Sequence, residues 1–124
     1  MGNRALVISS DTTKENADKK LGIYLHWHGS EDTVKEMLAE CKRRKIRDLI
    51  SDPTYGMARM CQTFADLITE EALNSKYETA RDSAYAVSIG IGIAKDYADV
   101  GDNGCYYVDQ NFEIVKHTSG SELS

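Results

Sequence analysis

Gly22-Ile23-Tyr24-Leu25-His26-Trp27-His28-Gly29-Ser30-Glu31-Asp32 decides the fold, because one structural period gives way to another inside it. Up to Trp27 the residues read as a strand, with successive side chains on opposite faces. Gly29 breaks that strand. Ser30 is a good helix N-cap, and Glu31 and Asp32 suit the positive end of a helix dipole. The same eleven residues hold two of the chain's three histidines and its only tryptophan. On a continuing strand, His26 and His28 share one face while Trp27 takes the other, which predicts a buried aromatic on one side and a pair of imidazoles on the other.

Working outward, Ala5 to Ser9 reads as a first strand and the polar residues 10–20 as an exposed loop. Leu21 to Trp27 is then the second arm of a long-looped hairpin. After Ser30, the helical spacing of Val34, Met37, Leu38 and Cys41 gives one apolar face, closed by Lys42-Arg43-Arg44-Lys45 at the carbonyl end. Asp52-Pro53 ends the connection. Met57, Met60, Cys61, Phe64, Leu67 and Ile68 mark a second helix. From Thr69 to Ser83 the chain is polar and is expected to be mostly loop, with a helical turn near Glu70–Ser75. Tyr85 to Ala94 is a strand with Val87, Ile89, Ile91 and Ile93 on one face and small residues on the other. Gly101-Asp102-Asn103-Gly104 is a tight turn, and Cys105 to Val108 with Phe112 to His117 makes a closing hairpin. The order ββααβββ predicts an α+β fold, an antiparallel sheet with the two main helices packed on one face. Residues 1–117 form a single domain and 118–124 a flexible tail.

With 124 residues there is chain for one core. No apolar run reaches the roughly 18 residues that span a bilayer, so no membrane association and a cytoplasmic location are expected. Three cysteines without a Cys-x-x-Cys spacing argue against a disulfide framework or a zinc knuckle. The net charge of −5 disfavours direct binding to nucleic acid and suits a basic partner surface.

Among the residues with chemical potential, His26 and His28 at i, i+2 are candidate metal ligands, with a third from His117, Asp102 or Cys105; hydrogen bonding at a sheet edge or exposure to solvent accounts for them better. Trp27 suits the core or a ligand-facing wall. Lys42 to Arg47 is the one basic cluster, and a solvated helix C-terminus explains it. Arg59 can anchor an anion, a partner carboxylate or an ordinary surface salt bridge. Asp102-Asn103 between glycines fits a phosphate or metal site, and fits an ordinary turn with positive φ better. No nucleophile, base and orienting group can be assembled, and nothing calls for a cofactor, so the chain reads as non-enzymatic.

Gly2-Asn3-Arg4-Ala5, Tyr24-Leu25-His26-Trp27-His28-Gly29, Met57-Ala58-Arg59-Met60-Cys61-Gln62, Ser88-Ile89-Gly90-Ile91 and Gly101-Asp102-Asn103-Gly104 follow one another in an order that resembles a group of uncharacterised small proteins of Firmicutes, their phages and mobile elements. The resemblance spans residues 2 to about 117. Where that group has Asp or Asn after His-Trp, this chain has His28, and the polar stretch around 70–83 is longer. The resemblance implies a mobile-element accessory protein that inhibits a host defence system in the manner of an anti-CRISPR, with a partner such as a CRISPR effector. Its loops 10–20 and 70–83 are the candidate contact surfaces. A small-ligand or metal protein using His26, Trp27 and His28, and a homodimer built on the small-residue strand face, are the alternatives.

Overall fold

The run Ala5-Leu6-Val7-Ile8-Ser9 forms β1, and all five residues are buried. It sits at the centre of the sheet in a computed structural model that describes residues 2–97, 99–119 and 121–123. A strand covered on both faces needs an unbroken apolar run rather than an alternating one, and this run is of that kind. The other strands are β2 (Leu21–Leu25), β3 (Ile89–Ile93), β4 (Cys105–Val108) and β5 (Ile114–Thr118), in the spatial order β3-β2-β1-β4-β5. The helices are α1 (Glu31–Arg43), α2 (Pro53–Leu73) and a short α3 (Glu78–Asp82).

The α+β class, the order of the main elements and the placing of both main helices on one face agree with the expectation. An all-antiparallel sheet does not. β1 pairs antiparallel with β2 but parallel with β4, in register Leu6 with Cys105 through Ser9 with Val108, so the sheet is mixed. The cause is the connection from β3 to β4. It crosses the sheet through a 3-10 turn, Ala94–Tyr97, and arrives on the far side of β1 running in the same direction.

Two layers of core result. On one face Val34, Leu38 and Cys41 of α1 and Met60 and Phe64 of α2 pack on Val7, Ile23, Leu25 and Tyr106. On the other, Leu6, Ile8 and Tyr107 are covered by Ala94, Val100 and Leu123. Leu123 lies in a 3-10 turn, Ser121–Leu123, and Tyr107 donates its hydroxyl to Glu122 at 2.7 Å. Of the segment assigned to the tail, Thr118 thus closes β5 and Leu123 is buried; Gly120 and Ser124 lie outside the described residues.

β5 begins at Ile114 rather than at Phe112, which stands in the turn with φ 60°, and three further boundaries differ from those expected. β2 ends at Leu25, and the chain bends at His26-Trp27. The third strand covers only Ile89–Ile93, because β2 stops beside it; beyond Ile89 the pairing continues with a single bond from His26 N–H to the Ser88 carbonyl. Finally, α2 runs unbroken through to Leu73, so the helical turn expected near Glu70–Ser75 is its last turn, beyond its last buried residue Ile68, and the short α3, Glu78–Asp82, stands where loop was expected.

Candidate functional site

The bend after Leu25 redistributes the residues of the opening segment. His26 points its Nδ1 at the Tyr24 hydroxyl, 2.7 Å away, and its ring meets Trp27 edge-on at 4.9 Å. His28 lies instead in a cleft of about 260 Å³ between α1 and α2, with its Nε2 3.9 Å from Glu71. The two imidazoles therefore do not share a strand face. Trp27, expected to be buried, is 49% exposed, because the bend turns it away from the sheet. Among the described residues no three His, Cys, Asp or Glu side chains gather so as to hold a metal ion.

The residues the structure does bring together belong to three separate segments at one end of the sheet. Asn3 N–H donates to the His26 carbonyl at 2.7 Å, and the Asn3 carbonyl accepts from Gly29 N–H at 2.8 Å. A side chain at Gly29 would stand 2.4 Å from that same Asn3 oxygen, so only glycine lets the two backbones approach this closely. The turn Gly101–Gly104 clamps the other side. Arg4 donates to Asp102 Oδ2 from its main-chain N–H at 3.0 Å and from Nε at 3.1 Å, while Asn103 N–H donates to the Arg4 carbonyl at 2.9 Å. Asn103 Nδ2 also donates to Asn3 Oδ1. Asp102 and Gly104 both have positive φ, at 40° and 72°, as a tight turn between glycines requires.

Tyr106 closes the cluster from below. It is fully buried, donates its hydroxyl to the Gly29 carbonyl at 2.7 Å, and stacks its ring on His117 at 4.3 Å. His117 in turn contacts the Asn103 carbonyl through Nε2 and lies 3.6 Å from Glu31 through Nδ1. Arg4's main-chain N–H, and then its guanidinium, hold the Asp102 carboxyl below the usual range. Each polar group of the cluster answers another one. No buried side-chain nitrogen or oxygen among the described residues is left without a hydrogen-bond partner. That arrangement clamps the starts of β1 and β4 together, and an open cleft lined by Gly101, Asp102, Asn103 and His117 lies against it.

Arg59 stands apart from it. It lines an open cleft with Arg44, Lys45, Arg47 and Tyr55, and its guanidinium donates to Gln62 at 3.1 Å. The neighbouring cations are partly neutralised, Arg44 by Glu40 and Asp66 and Arg47 by Asp52. All three thiols are disfavoured as thiolates. Burial pushes Cys41 up to about 12 and Cys105 to about 11, and raises Cys61 as well.

Asn3, Arg4, Tyr106 and His117 have structural parts that sequence reasoning did not assign. Two of them lie in the Gly-Asn-Arg-Ala stretch, which was noted only for its resemblance to other proteins. Polar residues directly before a fully apolar strand were the available signal, since such a strand end has main-chain groups to satisfy. No protein-family model, no curated protein and no solved structure matches the chain.

Proposed function

We propose that this chain is a non-enzymatic accessory protein of a mobile element, acting by protein–protein contact on a basic surface of a host defence component such as a CRISPR effector. One observation supports the contact surface above all. In the stretch 66–85, Leu73, Tyr77 and Tyr85 are 43%, 62% and 80% exposed and stand among Asp66, Glu70, Glu71, Glu78 and Asp82. Exposed tyrosines give large contact area at low cost in side-chain entropy, and they are enriched among the residues that dominate interface energy. The surrounding carboxylates would steer and orient the chain on a cationic partner.

α2 and α3 together present this face. α2 continues for a turn beyond its last buried residue, and α3 buries nothing of its own. Arg81 ties α3 back by donating to the Ser75 carbonyl at 2.8 Å. The loop 10–20 is the poorer candidate: it exposes no aromatic residue, and its Lys20 and Asp11 already pair at 3.0 Å.

Affinity capture from a bacterial host, read by mass spectrometry beside a phage or plasmid survival assay, tests the proposal. The wild-type chain should retain a defence nuclease and protect the invading DNA. The combined reversal Glu70→Lys, Glu71→Lys and Glu78→Lys should abolish both, while a Tyr85→Ala variant weakens capture. Recovery of no defence protein, or capture indifferent to the reversal, would sink the idea.

A further inference from the structure

We infer that the free edge of β3 is a self-pairing surface, on which a second copy of this chain adds its own β3 antiparallel across a two-fold axis at Ile91. The ladder to β2 fixes which main-chain groups are available. His26 N–H donates to the Ser88 carbonyl and Ala94 N–H donates to the Lys20 carbonyl, both within the register that places Tyr24 opposite Gly90. In an antiparallel pair the hydrogen-bonded positions alternate, so Ser88, Gly90, Gly92 and Ala94 face β2. Ile89, Ile91 and Ile93 consequently direct their N–H and C=O groups outward from the sheet.

An edge of this kind invites another strand unless something blunts it. The opposite edge is blunted: β5 carries Lys116 and a bulge against Tyr107 and Val108. β3 has no charge, no proline and no bulge, and from Ala84 to Ala94 there is no charged residue at all. Two copies meeting here bring no like charges opposite each other, although each chain carries −5 overall.

The sequence itself selects a second copy as the occupant. Ile89-Gly90-Ile91-Gly92-Ile93 reads the same in both directions. About Ile91, Ile89 faces the partner's Ile93, Gly90 faces the partner's Gly92, and Ile91 faces its own image. The three facing isoleucine pairs are all of the hydrogen-bonded kind, giving about six new main-chain bonds. The isoleucines share the helix-bearing face with Leu21, and Leu21, Ile91 and Ile93 are each between 41% and 49% exposed there, so pairing joins two apolar patches. On the other face a side chain at Gly90 would meet nothing within 4 Å, while Tyr97 packs over Gly92, on the face of the sheet rather than across its edge. One short strand with three half-exposed side chains offers less than the ~800 Å² per partner of a standard interface. The dimer is therefore concentration-dependent rather than obligate. This pairing is independent of the acidic face on 66–85.

Sedimentation equilibrium from about 1 μM to about 1 mM reads it directly, since mass action makes the dimer fraction depend on concentration. The wild-type chain should shift from monomer to dimer in that range. Ile91→Lys, which sets two ammonium groups face to face, should weaken the dimer at least about tenfold. Ile91→Pro deletes only an outward N–H and should act likewise, with circular dichroism confirming the fold of each variant. An Ile91→Cys variant should cross-link through residue 91 on oxidation, because facing Cα atoms of such a pair lie about 5.5 Å apart, within disulfide reach. A chain that stays monomeric at the highest concentration, as it would if the edge accepted only a foreign strand, overturns the inference. So does a dimer unaffected by both folded variants, or a cross-linked species lacking the 91–91 bond.

Discussion

Replacing Tyr106 by Phe removes one oxygen from the clamp and leaves the ring, so it weighs the bond that ties β4 to the strand–helix junction. The hydroxyl is fully buried and donates to the Gly29 carbonyl at 2.7 Å. A typical hydrogen bond contributes a net ~0.5–1.5 kcal/mol, and stranding its buried partner brings the loss to about 1–3 kcal/mol. The stacking of the ring on His117 survives the change and does not enter that figure. For a domain of this length each kcal/mol corresponds to roughly 3–6 °C, so the midpoint should fall by roughly 3–18 °C. Urea unfolding followed by far-ultraviolet circular dichroism is the assay. The midpoint concentration should drop with the slope unchanged, because the surface exposed on unfolding is the same. A loss below about 0.5 kcal/mol would refute the claim that the Tyr106–Gly29 bond is dry and structural. Partner capture by the Phe variant should match wild type under native conditions, which separates the clamp from the docking face proposed on 66–85.

The thiols and a half-buried carboxylate supply two further tests. With Cys41 held up to about 12 by burial, its thiolate fraction at pH 8 should be about a thousandfold below that of an ordinary cysteine, and Cys105 at about 11 should follow it. Native protein should therefore react slowly with an aromatic disulfide reagent and release three equivalents only when unfolded; rapid labelling of Cys41 or Cys105 in the folded state would contradict the core packing. Glu40 accepts from Arg43 and then from Arg44, which lowers its carboxyl to about 2 from an ordinary 4.5. The folded state is the one with the depressed value, so this contribution is complete above pH 4.5 and is lost as the pH falls toward 2. Glu40→Gln should flatten the stability profile across that window, and a profile identical to wild type would show that the two arginines do not hold Glu40 in solution.

The elements that were legible in the sequence are those whose partners impose a period. Val34, Met37, Leu38 and Cys41 are buried together because a helix on a sheet needs one apolar stripe. Where the core stops, the period stops too, though the helix need not. Glu70, Glu71, Ala72 and Leu73 continue α2 on helix propensity and exposed helical turns alone, so a search for apolar spacing ends at Ile68. The stretch Tyr85–Ser88 shows the converse. It alternates like a strand yet has no ladder beside it, because β2 bends away at His26. A strand is a property of a pair, and one member's sequence cannot report where the other ends. The parallel pairing had a signal in the unbroken run of β1, buried on both faces. The cover for the second face comes from Ala94, expected as the last residue of a strand, from Val100 in the connection after it, and from Leu123 in the expected tail.

The clamp follows from that same topology. Antiparallel neighbours can be joined by a short turn, but parallel β1 and β4 cannot, since both begin at the same end of the sheet. Their starts must be fastened by contacts distant in sequence. The fastening is visible: Leu6 N–H donates to the Gly104 carbonyl, Asn103 N–H to the Arg4 carbonyl, and Arg4 to Asp102. Asn3 then passes the connection on to Gly29 and His26, where β2 ends and α1 begins. A glycine-flanked Asp-Asn pair, an imidazole beside a tyrosine and a buried phenol resemble the parts of an active site, yet here each satisfies a main-chain group at a strand end. Substitutions in Asn3, Asp102, Asn103 or Tyr106 should accordingly move stability and leave partner choice alone, whereas the reverse is expected on 66–85, where Tyr77 and Tyr85 face solvent.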